Sequence, residues 1–200
     1  NDLPAFGSRV VTLPHSLICV HPDPYPGTPA APLPARAGLV AELLDALARQ
    51  RLVAVVGPSG CGKSSLVRAG LVPEIRNGRL AGAKSWVVAE AYPGSDPFAA
   101  LTEAVRSVAV EAVPPPPDRR WDPDRIAPLV RRVLPPGTGL VLVVDQFEEL
   151  FRFQQARTTR VREEAADFIS ALLYLAEQKE TPVYVVLTMR SDFLGECDAF

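Results

Sequence analysis

Cysteine is scarce in this chain and follows no pattern. Three occur in 200 residues, Cys19, Cys61 and Cys197, with none of the short spacings of a metal site. An odd, unpatterned set argues against a disulfide framework and fits free thiols in a reducing cytoplasm. Histidine is scarcer still: only His15 and His21 occur, and no partner pattern surrounds them, so neither is assigned a metal or catalytic role. A charge excess of either sign is missing. The net charge is −2 and the pI about 5.8, and the positive charge is mostly scattered arginine, so the chain lacks the footprint of a general nucleic-acid binder. No apolar run reaches the length of a membrane span, and the opening residues do not form a signal peptide. No internal repeats occur, which argues against a solenoid or propeller.

What remains is an ordinary globular composition. Apolar residues make up 48% of the chain, and its length suits one α/β domain with an appendage and a sizeable core. Residue 1 is Asn, so the chain is read as a piece of something longer. Residues 1–34 are expected to be a Pro-rich N-terminal segment or linker, because proline recurs every two or three residues from Pro22 to Pro34. Two short stretches within it, Val10–Leu13 and Leu17–Val20, are strand-like. Residues 35–200 are expected to form the domain proper.

Within that domain apolar runs alternate with helical patterns. Leu39, Leu43, Leu44 and Leu47 recur at helical spacing over residues 36–50. Strand candidates are 52–56, 85–89, 140–144 and 183–187, all short, apolar and mostly rich in valine. Asp96-Pro97 and Asp122-Pro123 each pair an N-cap with a proline at the first helical position. Helices are predicted after both, with a short helix near Glu148 and a longer one over 161–179. Pro73 is expected to end or shortly follow the helix that begins near residue 63. Alternating strands and helices predict a parallel sheet covered on both faces, the α/β class.

The stretch that organises the rest is Gly57-Pro58-Ser59-Gly60-Cys61-Gly62-Lys63-Ser64, which fits G-x-x-x-x-G-K-[ST], the phosphate-binding P-loop. Its four fixed positions arise by accident in about one chain in a hundred of this length, and a flanking strand and helix reduce that further. Glycines let consecutive N–H groups approach phosphates, and the following helix directs its dipole at the same anion. Lys63 can reach the β- and γ-phosphates as a point charge, and the Ser64 hydroxyl, with Ser65 beside it, begins the helix where Mg²⁺ is held. ATP or ADP with Mg²⁺ is the expected ligand. Cys61 within the loop is read as a tolerated filler in preference to a redox switch, and Trp86 and Trp121 as packing residues in preference to base stackers.

The run Leu140-Val141-Leu142-Val143-Val144 ends in Asp145, the Walker B pattern. In a parallel sheet this places Asp145 at the carboxyl edge beside the loop, where a carboxylate can hold Mg²⁺. Glu148 and Glu149 follow within one turn, and either could orient an attacking water. Against this stands a solvated helix start favoured by the dipole, and the residues alone do not choose between the two acids. Arg190 ends the last strand candidate; if that strand lies beside the P-loop strand, Arg190 can reach the γ-phosphate and sense its presence.

These residues carry a resemblance. Residues 57–73, GPSGCGKSSLVRAGLVP, look like the P-loop and first helix of the bacterial "novel STAND" NTPases. Residues 143–151, VVDQFEELF, are similar to that group's extended Walker B, and 187–195, LTMRSDFLG, to its sensor 1 strand, with the sensor arginine at Arg190. The resemblance spans roughly residues 36–200. It implies a P-loop NTPase fold of the ASCE, AAA-like type and a slow ATPase used as a cytoplasmic switch. It also implies flanking effector and sensor (repeat) domains as partners, and ATP-dependent homo-oligomerisation. Two departures are visible: Ala35-Arg36-Ala37 stands where the family usually has Gly-Arg-Glu, and the chain is expected to be truncated after the sensor 1 strand. An ABC-type ATPase would need a Leu-Ser-Gly-Gly-Gln-like signature and a Glu after the Asp, whereas Gln146 stands there. A guanylate-kinase-like enzyme lacks this Walker B, and a GTPase would need Asn-Lys-x-Asp. A nucleotide-bound scaffold without turnover remains the alternative of a different class.

Overall fold

The computed structural model describes residues 11–12, 16–19, 33–110, 123–154 and 159–199. His15, His21, Trp121 and the proline runs at 22–32 and 114–117 lie outside them, as do the side chains of Cys19 and Cys197. In chain order the elements are β1 (Val11–Thr12), β2 (Ser16–Cys19), α1 (Leu33–Arg49), β3 (Leu52–Gly57) and α2 (Lys63–Ser65). α2 runs through a π-helical turn (Leu66–Leu71) into α3 (Val72–Arg76), and together these form the loop helix. Then follow β4 (Ser85–Ala91), α4 (Pro97–Ser107), α5 (Pro123–Val133), β5 (Thr138–Val144), α6 (Glu149–Gln154), α7 (Thr159–Ala176), β6 (Val183–Arg190) and a 3-10 segment (Ser191–Ala199).

The sheet order is β1-β2-β3-β6-β5-β4. β3, β6, β5 and β4 run parallel, β2 joins β3 in parallel, and β1 folds back antiparallel on β2. The strand latest in sequence therefore sits between the two that carry the loop and the acid. Alternation sends each central strand's side chains to two cores, as the two-residue period requires. Leu140, Leu142 and Val144 face the layer of α4, α5 and α7, while Val141 and Val143 join α1 and the loop helix. All seven residues of β5 are buried, which is why the strand reads as a continuous apolar run. This is an α/β sheet with helices on both faces, as the alternating pattern predicted.

Boundaries differ by a few residues, α1 beginning at Leu33 and α7 ending at Ala176, and one differs for a physical reason. The loop helix does not stop at Pro73 but continues to Arg76. At the π turn the Val72 N–H reaches back to the Val67 carbonyl, five residues away, and the register shift lets the helix carry a residue with no N–H to give. Termination comes at Gly78, whose φ is +80°. The Gly78 N–H bonds Ile75 O and the Arg79 N–H bonds Glu74 O, the paired closure of a Schellman end.

At the amino edge of the sheet Trp86 lies over Gly139, its register partner on β5. A Cβ at Gly139 would sit 2.4 Å from the ring, so only glycine fits. The indole N–H donates to Leu80 O at 2.8 Å, and the ring meets Tyr184 edge-on at 5.0 Å. Trp86 is a packing residue. Arg51 closes the same edge, donating to the carbonyls of Ala176 and Gln178 past the end of α7, where a cation also meets the negative end of the helix dipole.

Candidate functional site

β3 delivers the chain to the carboxyl edge at Gly57, and the loop turns it into α2. Gly60 (φ +78°) and Gly62 (φ +89°) are both left-handed, the conformation in which glycine carries no Cβ penalty. Successive N–H groups in such turns converge into an anion-binding concavity. Lys63 is buried, and its ammonium donates to the Gly57 and Pro58 carbonyls at 2.9 and 2.8 Å, with Cys61 Sγ 3.8 Å away. Ser59 and Ser65 are exposed.

Asp145 emerges from β5 with only 2% of its surface exposed. Its Oδ1 accepts from Ser64 Oγ at 2.7 Å, from the Gln146 N–H at 3.1 Å and from the Thr188 hydroxyl. Its Oδ2 accepts from Arg68 Nη2 at 2.9 Å. Burial by itself raises the carboxyl pKa, but the hydrogen bonds from Thr188, Ser64 and Arg68 outweigh it and hold the group below the ordinary carboxylate value. Asp145 is therefore an anion in a closed cage of donors.

The next residue is strained. Gln146 has φ +59° without being glycine, and its N–H is shared between Asp145 Oδ1 and Thr188 Oγ1, both at 3.1 Å. That turn, fixed further by Phe147 N–H on Thr188 O, sends the chain back toward β6. Glu148 is buried there, and its Oε2 accepts from the Arg190 N–H at 3.3 Å. Glu149 is half-buried and opens α6, where the helix dipole favours an acid. The two glutamates are thus distinguished: Glu148 lies against the strand that neighbours the loop, and Glu149 belongs to a helix start.

Arg190 pairs in register with Gly57, so β6 does lie beside the P-loop strand. Its guanidinium is engaged with Asp192, at 3.1 Å (Nε) and 2.5 Å (Nη2), and lies 5.6 Å over the Phe193 ring. The hydrogen bond from Arg190 lowers the Asp192 pKa, with the Lys63 charge adding a smaller pull. Asp192 thus links the fields of the loop lysine and the strand-end arginine.

Sequence reasoning missed Arg68, Glu90 and Thr188. Arg68 lies four residues after Ser64, so the two share a helix face, and that spacing was the available signal. Glu90 is next to last in β4 and Asp145 follows β5, so Glu90 is another acid at the carboxyl edge. Beside the loop, an open groove of about 530 Å³ runs between α1 and the loop helix, bordered by Ala37, Val40, Leu44, Ser65 and Gly70. The larger cleft, about 740 Å³ and lined by Lys84, Arg131 and Lys179, lies at the opposite sheet edge and meets none of these residues. Among the described residues no helix is long and apolar enough to cross a membrane.

A sequence model of the family described as Novel STAND NTPase 1 matches residues 32–200. No curated protein matches the chain.

Proposed function

The chain belongs to the Novel STAND NTPase 1 family, a nucleotide-binding module of the P-loop NTPase type, and from that premise we propose that it is an ATP-binding, slowly hydrolysing signal-transduction switch of a larger multidomain cytoplasmic protein. The observation that carries this reading is the junction of Ser64 and Asp145, two oxygen ligands 2.7 Å apart that join the loop helix to the acid strand. A hydroxyl and a carboxylate are the hard donors Mg²⁺ takes in such sites, so the residues fit the ion, and Ser64 and Asp145 would hold it. Bound there, Mg²⁺ would neutralise charge on the nucleotide's phosphate oxygens. Among the described residues no cluster of three or more His, Cys, Asp or Glu could hold a metal, so the ion would share its shell with the nucleotide.

The chain's own residues then divide the work. Gly57, Pro58, Ser59, Gly60, Cys61, Gly62, Ser64 and Ser65 form the loop that cradles phosphates at the start of the loop helix, through their backbone N–H groups except at Pro58, which has none. Lys63 turns its ammonium from the loop carbonyls to phosphate oxygen. Glu148 orients and deprotonates the attacking water, a choice over Glu149 supported by its burial against β6. Arg190 senses the γ-phosphate by leaving Asp192 for it. The apolar groove beginning at Ala37 suits a nucleoside base. The functional unit is residues 35–200, and the segment 1–34 adds β1 and β2 to one side of the sheet. Flanking effector and sensor domains and an ATP-dependent homo-oligomer complete the switch.

The test is ATP hydrolysis and binding by the purified protein. Glu148→Gln is expected to lower turnover by roughly 10²–10⁴-fold with ATP affinity retained, Glu149→Gln by far less. Lys63→Ala is expected to weaken ATP binding about 100-fold. Unchanged affinity in Lys63→Ala overturns the reading. ATP binding by wild type without turnover would make the protein a nucleotide-bound interaction scaffold instead.

A further inference from the structure

Arg68 is the point where three elements of the site meet. From the loop helix it donates Nη2 to Asp145 Oδ2 and Nε to Glu90 Oε2, each at 2.9 Å, so one planar guanidinium spans two carboxylates from neighbouring strands. The Tyr92 ring lies 5.3 Å from it on a further side. Asp145 is nearly inaccessible whereas Arg68 is 40% exposed, so the cation reaches in from the rim. A guanidinium presents a fixed fork that an ammonium lacks. Without it, the Asp145 and Glu90 carboxylates would lose the cation that bridges them, and like charges left together favour the arrival of another cation.

We propose that Arg68 is a positioning residue that acts as the resident cation of the metal site: it holds Asp145 in place and neutralises the Asp145–Glu90 pair, so that a divalent ion binds only in company with nucleotide. The idea rests on the Mg²⁺-nucleotide reading above. Its logic is electrostatic. With Arg68 in place the Asp145–Glu90–Arg68 group carries one net negative charge, too little to draw a divalent ion out of water. A nucleotide contributes the missing charge through its phosphates, and the ion then enters with it. Arg68 keeps Oδ2 throughout, so the carboxylate stays aimed at Ser64.

The experiment is Mn²⁺ binding to the purified protein, followed by electron paramagnetic resonance with and without ATP. This is a readout independent of turnover, and a purely structural role for Arg68 would move it the other way, toward weaker binding in its variants. Arg68→Gln is expected to tighten Mn²⁺ binding in the absence of ATP by about tenfold and to shrink the gain that ATP confers. Arg68→Lys, the safer variant for folding, keeps one charge but cannot bridge both carboxylates, and a rise of about threefold is expected. Glu90→Gln removes the second anion and leaves ATP-free binding as weak as in wild type. If both Arg68 variants match wild type without ATP, or bind Mn²⁺ more weakly, the role assigned to Arg68 is wrong. If wild type itself binds no ATP in the presence of Mg²⁺, the ATPase reading fails instead.

Discussion

The two edges of the same sheet are built on opposite terms. At the amino edge, packing decides. Trp86 fills the space over Gly139, Tyr184 meets it edge-on, and Arg51 is consumed in capping carbonyls beyond α7. At the carboxyl edge, charge decides. Asp145, Lys63 and Glu148 are buried in a protein where such residues are seldom found inside, and the backbone beside them is strained at Gln146. Both edges place arginine near aromatic rings, Arg51 over Tyr184 at one and Arg68 over Tyr92 and Arg190 over Phe193 at the other. Arg51 serves main-chain acceptors, whereas Arg68 serves carboxylates. The comparison teaches that stability and chemistry are separated along the strands: one end of β4, β5 and β6 holds the fold, and the other end arranges the site.

The separation can be broken in steps. The largest effect is expected at the amino edge. Gly139→Ala pushes a methyl into a ring that its hydrogen bond to Leu80 O holds in place, at a cost of about 2 kcal/mol. A melting point lower by about 6 °C follows, with ATP affinity of the folded fraction unchanged; a loss of affinity would show that the edges are coupled. The next effect is at the carboxyl edge and depends on pH. Because the Asp145 carboxyl is depressed in the fold, its contribution is present above the ordinary carboxylate pKa and is lost as pH falls through the folded value. Asp145→Asn should cost about 1 kcal/mol at pH 7, and its denaturation midpoint should fall less than that of wild type on acidification below about pH 4. Parallel slopes would show that Asp145 is not the titrating group. The smallest effect is a gain. Gln146→Gly removes the left-handed penalty and should raise stability by roughly 0.5 kcal/mol in equilibrium denaturation. A loss would mean that the Gln146 side chain itself holds the turn.

Much of this was legible in the residues. Strands buried on both faces need continuous apolar runs, so β3, β5 and β6 announced themselves, and the loop at 57–64 needed glycine at 60 and 62 for the positive φ it adopts. Asp145 was placed correctly because a strand end in a parallel sheet is a position in space. Other features leave weaker traces. A π turn has no period of its own, so the helix that runs through Pro73 read as ending at it or shortly before it. The cage around Asp145 depends on which strand neighbours which, and Thr188 gained a role only when β6 took its place next to β5. The engagement of Arg190 with Asp192 is a rotamer, which periodicity does not encode. The different placing of Glu148 and Glu149 turns on the left-handed Gln146, and no feature of a glutamine predicts that.

The central position of β6 has a consequence for how the molecule is made. β3 and β5 do not pair with each other; both pair with residues 183–190. During synthesis the loop and the acid strand emerge before it, and although β3 can pair with β2 and β5 with β4, the two pairs cannot be aligned with each other until this late strand has inserted between them. Pairings of such long sequence separation are slow to form. The site at the carboxyl edge is therefore among the last parts of the domain to be assembled, and a nascent chain that has passed residue 145 but not yet reached residue 183 carries the loop and the acid without the strand that joins them.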